Sequence, residues 1–320
     1  MNRAFQKIRG LQEIGVLIAL IVLMIALSLT TTSFLTQLNL LQVARQASYY
    51  GIMAVGMVWV ISMGDIDLSV GSIFTLTNIV TAIALRGHTP IPIALLIGLL
   101  TGALCGFVNG VLAVWLRISM IIVTLGTLSV YRGVALVLCS ATPISQFSKD
   151  SLLFTLGGGE IARIPTSVLI MFGMGVLGWL ALTRSVFGRR VEAIGSNPVA
   201  SYLAGIPLNR YRIGVMTLNG TIAALAGIIA LAFLQSADPS TGTGFELWVI
   251  ASVIIGGTAL SGGHGSVPGA ILGALIIAVI RNGLVLLGAS TYAGTAVTGA
   301  VIILAVAIDS FVKRRALQRK

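Results

Sequence analysis

Charge is what this sequence has least of. Only 9% of its 320 residues are Asp, Glu, Lys or Arg, whereas a soluble domain carries about 25%. With 57% of residues hydrophobic and a mean hydropathy of +1.03, the chain cannot cover a water-facing surface, so its solvent must be lipid. Acids are scarcer than bases, nine against 20, and the net charge is +11. In a soluble protein that excess would point to nucleic acid. Here the basic residues flank apolar runs, orientation in a bilayer accounts for them, and no nucleic-acid partner is expected. Cysteine is nearly absent as well. Cys105 and Cys139 lie in apolar runs without a CxxC pair and read as small buried hydrophobes rather than a disulfide or metal site. His88 and His264 belong to no metal-ligand spacing. There is no GxSxG, no HExxH and no GxxxxGK[ST], nor even a Gly-Lys pair. The polypeptide therefore cannot hydrolyse ATP through a P-loop.

What is abundant is apolar sequence in lengths that suit a bilayer. A span needs about 20 such residues. Ten segments qualify once glycine breaks are allowed, near 14–31, 49–64, 68–85, 91–115, 118–139, 166–182, 213–235, 246–260, 268–288 and 294–310. The first follows Arg3, Lys7 and Arg9 like a secretory signal. No small-residue cleavage site follows it, so it is expected to remain as a helix. Threading the spans with the N-terminus inside puts fourteen basic residues on the cytoplasmic side and four (Arg45, Arg86, Lys149, Arg163) on the other. That asymmetry predicts both termini in the cytoplasm. The fold class is therefore all-α, a polytopic membrane protein of about ten helices. Glycine recurs every fourth residue at Gly98, Gly102, Gly106 and Gly110, and again at Gly265, Gly269 and Gly273. This is the spacing of closely packed helices, and the matching runs hint at related halves.

The longest polar interruption, Thr183 to Arg212, is strongly basic, with Arg184, Arg189, Arg190, Arg210 and Arg212 against the single acid Glu192. Its punctuation predicts a short helix. Asn197 is the expected N-cap, Pro198 the first helical residue, Gly205 the left-handed stop, and Pro207 prevents continuation. Val199, Tyr202 and Leu203 would share one face, and an apolar face in the cytosol calls for a partner protein.

Two acids interrupt the apolar pattern in GDIDLSVGS, residues 64–72. Asp67 can cap the helix that follows, as acids suit a helix N-terminus. Alternatively, Asp65 and Asp67 bind a cation or proton during transport, or Asp-x-Asp holds a divalent metal in an intramembrane enzyme. Asp65, Asp67 and Ser69, with Asn78, Asn109, Thr124, Thr127 and Asn219, are the translocation-pathway candidates, being polar groups set in apolar helices. Interhelical hydrogen bonding is the competing reading for them.

Three stretches together, GDIDLSVGS (64–72), IIVTLGTLSVYRGVALVL (121–138), and residues 187–206 through 254–288, resemble the permease subunits of bacterial ABC importers for ribose, xylose and arabinose. That group is allied to the branched-chain amino acid permeases. The resemblance implies a single transmembrane permease domain over residues 1–320 in the inner membrane, with a coupling loop at about 183–212. It further implies a second permease copy or paralogue, a cytosolic ATPase that uses ATP and magnesium while this chain binds no cofactor, and a periplasmic sugar-binding protein. The family's coupling segment matches at Gly188, Arg189, Ala193, Gly195, Asn197, Ala200 and Gly205. With Glu192, Tyr202 and Leu203, these are the expected ATPase-coupling residues. The alternatives are a cation-coupled secondary transporter and a permease for another small solute such as a branched-chain amino acid.

Overall fold

The computed structural model describes residues 3–145, 147, 153–289 and the isolated positions 296, 297, 299, 300 and 303. Apart from those isolated positions the expected tenth span, with the basic C-terminal cluster and Lys149, lies outside the described residues. The remainder is mostly helical. In order it runs α1 (Arg3–Thr30), α2 (Gln37–Ser62), α3 (Val70–Arg86), α4 (Ile91–Leu116), α5 (Met120–Leu138), α6 (Thr166–Arg184), α7 (Val186–Ser196), α8 (Pro198–Leu203), α9 (Leu208–Leu234), α10 (Phe245–Ile255) and α11 (Val267–Leu286). Among the described residues six helices, namely α1 from Glu13, α4, α5, α6, α9 and α11, are long and apolar enough to cross a membrane. Helices α3 and α10 are apolar but shorter.

Two expectations change. The segment expected at 49–64 begins at Gln37, because Gln42, Arg45 and Gln46, which read as a loop, continue the helix. From Ala47 to Ser62 every residue of this helix is buried, so α2 is the core of the molecule, wrapped by α6, α9, α10 and α11. The segment expected at 246–260 shrinks to the 11 residues of α10, about 16 Å of helix, half a bilayer core. The 140–165 connection holds one π-helical turn, Leu153–Gly157, and a two-residue antiparallel hairpin that pairs Glu160 with Pro165 and Ile161 with Ile164. Its turn residues Ala162 and Arg163 take φ of 51° and 66°, the positive values that a two-residue hairpin turn demands.

The glycine ladders do what their spacing predicts. A Cβ on Gly102 or Gly106 would run into the backbone carbonyls of Gly220 and Met216, and one on Gly110 would sit 2.7 Å from the Ile213 Cα. Helices α4 and α9 therefore touch backbone to backbone. The second ladder seats α11 on α10, with Gly269 against Gly256 and Gly273 against Ser252.

Between α9 and α10 the chain turns back into the protein. Helix α9 ends at Leu234, yet the Thr241 carbonyl accepts a hydrogen bond from Thr75, one turn from Asn78, whose amide donates 3.1 Å to the Gly227 carbonyl. The loop thus re-enters about 10 Å below the end of α9, judged at 1.5 Å per helical residue. Irregular backbone at such depth must find its partners within the protein. Here Arg132 of α5 supplies them, donating to the carbonyls of Pro239 (3.1 Å) and Thr241 (3.3 Å) and to the Thr75 hydroxyl (3.1 Å).

Candidate coupling surface and solute cavity

The 183–212 segment carries more helix than expected, two elements rather than one. Ser185 opens α7, its Oγ accepting from the Gly188 N–H at 2.9 Å. Val191 and Ile194 are buried, and Phe187 lies between Trp59 and Tyr211, with ring centroids 5.7 and 5.0 Å away. Arg190 donates to the Tyr211 hydroxyl at 2.8 Å, and Arg189 to the Arg184 carbonyl at 3.1 Å. Gly195, beside Ala193, packs so closely on the Ser62 carbonyl and the Gly263 nitrogen that no side chain fits. Gly263 N–H also donates to the Ser62 carbonyl at 2.8 Å. His264 approaches Glu192 to 3.7 Å. Helix α7 is thereby fastened both to the end of α2 and to the 259–265 loop.

Helix α8 follows as a stub. Asn197 Oδ1 accepts from the Ala200 N–H at 3.0 Å, Pro198 is the first helical residue, and Gly205 turns left-handed at φ +77°. Val199, Tyr202 and Leu203 are 70%, 71% and 79% exposed. A capped helical turn thus offers three large apolar side chains to its surroundings.

The two acids are engaged within the chain. Asp65 forms a two-point ion pair with Arg212, Nε to Oδ2 at 2.7 Å and NH2 to Oδ1 at 3.2 Å. Asp67 is not the N-cap of α3. Ser69 holds that position, and Asp67 Oδ1 accepts from both the Ser69 N–H (2.7 Å) and its hydroxyl (2.6 Å). The other oxygen, Oδ2, accepts from the Asn219 amide at 2.8 Å. The web continues as Asn109 donates to Ser69 Oγ at 2.8 Å, while the Tyr131 hydroxyl lies 2.9 Å from Asn109 Oδ1 and 3.0 Å from the Cys105 carbonyl. Burial pushes both carboxyls above their ordinary range; Arg212 pulls Asp65 back down, and the bonds from Ser69 and Asn219 do the same for Asp67.

So the structure brings Asp67, Ser69, Asn109 and Asn219 into one buried web joining α3, α4, α5 and α9. Thr124 and Thr127 border this web. Thr124 donates to the Met120 carbonyl at 2.9 Å and lies 3.4 Å from the Ile66 carbonyl, between the two acids. Thr127 lies 3.4 Å from the Thr124 carbonyl and hydrogen-bonds with Tyr131. Asn78 binds α9, as described above.

A different constellation escaped the sequence. At the end of the molecule away from α8, a cavity of about 530 Å³ opens between α2, α9 and α11. Gln42, Arg45, Gln46, Tyr49, Tyr50, Phe233, Phe245 and Arg281 line it. The Arg281 guanidinium lies 3.5 Å over the Trp248 ring and donates to the Tyr50 hydroxyl. Arg45 stacks 4.6 Å over Phe233 and pairs with Glu160 of the hairpin at 2.6 Å. Among the described residues the Tyr49 hydroxyl is buried without a partner. Hydrogen-bond donors beside aromatic faces suit a small polyhydroxylated solute. The signal available in the sequence was an arginine inside an apolar helix, true of both Arg132 and Arg281, since charge within a span is rarely idle.

Residues 39–306 match the family described as branched-chain amino acid transport system / permease component. The chain belongs to that family. The permease is 41% identical to a ribose import permease protein of Escherichia coli (strain K12) over 311 residues, 97% of each chain. It is 36% identical to a D-allose transport system permease protein of the same strain, covering 90% of this chain and 88% of the other. It is 33% identical to an L-arabinose ABC transporter permease protein of Azospirillum brasilense, covering 95% and 90%. No solved structure matches it. As a member of this family the permease is a multi-pass inner-membrane transport subunit rather than an enzyme, and works with ATPase and solute-binding partners.

Proposed function

We propose that this chain is the membrane-spanning subunit of a binding-protein-dependent ABC importer for a pentose or related monosaccharide. The observation that carries the sugar assignment is near full-length similarity to permeases named for ribose, allose and arabinose. In this reading the whole chain is one permease domain of about ten spans with both termini cytoplasmic, paired with a second copy or a close paralogue. A periplasmic binding protein delivers the sugar. The α8 stub, with Gly188, Arg189, Glu192, Ala193 and Gly195 behind it, docks in a groove of the ATPase, which alone handles ATP and magnesium. The cavity between α2, α9 and α11 supports the reading, because its arginines, glutamines and aromatic rings can hold sugar hydroxyls and ring faces.

The deciding experiment is ATP hydrolysis by the reconstituted importer with its binding protein, across D-ribose, D-xylose, L-arabinose, D-allose and L-leucine. Stimulation by one of the sugars is expected. Stimulation by leucine with none from any sugar would move the chain to the amino-acid branch of its family.

A further inference from the structure

A second cavity, of about 480 Å³, lies where the α4–α5 connection meets the start of α9. Arg117, Ser119, Asn209 and Arg212 contribute its polar lining. Among the described residues the side chains of Arg117, Ser119 and Asn209 have no hydrogen-bond or ion-pair partner. Arg212 gives Nε and NH2 to Asp65, which leaves NH1 unspent. Arg117, Ser119 and Asn209 are exposed, so these donors gather at the protein surface with water rather than a protein acceptor to meet them. Arg117, the C-cap of α4, takes a left-handed backbone, φ 57°, uncommon outside glycine; it turns the chain so that Arg117 and Ser119 reach the same cavity.

Position narrows the occupant. Helices α4 and α9 are both of membrane-spanning length, and so is α5, and the cavity sits at the ends of all three, at the level where a bilayer meets water. Trp115, in the last turn of α4, is 77% exposed, as an interfacial tryptophan is. Val114 and the exposed Ile118 add apolar side chains to the lining. We propose that this cleft holds the phosphate of an anionic phospholipid headgroup, with Arg117 and Arg212 on the phosphate oxygens, Ser119 and Asn209 donating beside them, and the acyl chains leaving along Trp115. Paired arginines match phosphate oxygens geometrically, and basic pockets between spans are where such headgroups settle.

The test is native mass spectrometry of the purified full-length permease titrated with dioctanoyl phosphatidylglycerol, dioctanoyl phosphatidylcholine and inorganic phosphate. Saturable binding of phosphatidylglycerol alone is expected, weakened about tenfold or more in the Arg117→Gln and Asn209→Ala double variant and partly retained in Arg117→Lys. Equal binding of the zwitterionic lipid, or unchanged affinity in the double variant, overturns the proposal. Binding of inorganic phosphate as tight as that of the lipid overturns the lipid assignment and leaves a soluble anion. The wild-type titration decides the matter even if a variant fails to fold.

Discussion

Asp67 is completely buried and, among the described residues, has no cationic side chain at hydrogen-bond distance; its carboxyl accepts three hydrogen bonds, two from Ser69 and one from Asn219. Neutralising it in place should therefore cost little. In Asp67→Asn the new oxygen still accepts both Ser69 donors. The new amide then faces Asn219, whose own Oδ1 is buried with no partner among the described residues and can turn to accept from it. In Asp67→Ala the Ser69 and Asn219 donors are stranded, each costing about 1–3 kcal/mol. The expected order of thermal unfolding in detergent is wild type, then Asp67→Asn close behind, then Asp67→Ala well below. If Asp67→Asn melted as low as Asp67→Ala, the negative charge itself, rather than the hydrogen-bond geometry, would be essential. Retained uptake in Asp67→Asn would also speak against coupling transport to a cation at this site. The sequence marked Asp67, Ser69, Asn109 and Asn219 separately as polar groups in apolar surroundings. Their junction was not legible, because the partners are up to 152 residues apart and no local spacing encodes such a distance.

At the scale of elements, some local rules were legible, though the cap of α3 fell to Ser69 rather than Asp67 and α7 was not foreseen; long-range partners were not. The α8 stub was legible residue by residue, since an N-cap, a proline at the first position and a glycine stop act within one turn. The glycine ladder on α4 was legible as packing, though its partner was not. The re-entrant loop before α10 was invisible, because what stabilises it is Arg132, more than a hundred residues earlier, holding carbonyl groups that have no side-chain signature. Two predictions belong here. Gly106→Val should strip α4 from α9 and lower stability by about 1–3 kcal/mol or more, the cost of overpacking a close contact, whereas Gly126→Val, where nothing lies within 4 Å, should leave the monomer's melting temperature unchanged. A tolerant Gly106 would mean that α4 and α9 stand further apart than described. The second concerns α8. Tyr202→Asp with Leu203→Asp places charge on the face proposed to dock, 71% and 79% exposed in this chain, so folding should be spared while co-purification with the cognate ATPase is lost. Undiminished co-purification would remove α8 from the interface.

For the whole molecule, the telling feature is that α2 joins both ends. Its last residue, Ser62, is clasped by Gly195 of α7 and by Gly263, and its first turns line the outer cavity with Gln42, Arg45 and Tyr49. A helix of 26 residues spans about 39 Å and is held by α6, α9, α10 and α11. A push on α7 therefore has a stiff path to the far side. The sequence has no P-loop, and both acids of the 64–72 stretch are engaged within the fold, so the proposed reading places the source of that push in a separate ATPase. Reconstituted alone in proteoliposomes, the chain should fail to concentrate any sugar, whether a proton or a sodium gradient is imposed. Adding the ATPase and the binding protein should restore accumulation, and the Tyr202→Asp, Leu203→Asp variant should abolish it again. Uphill uptake by the lone subunit would show that the driving force enters through the chain itself, and the role given to α7 and α8 would fall with it.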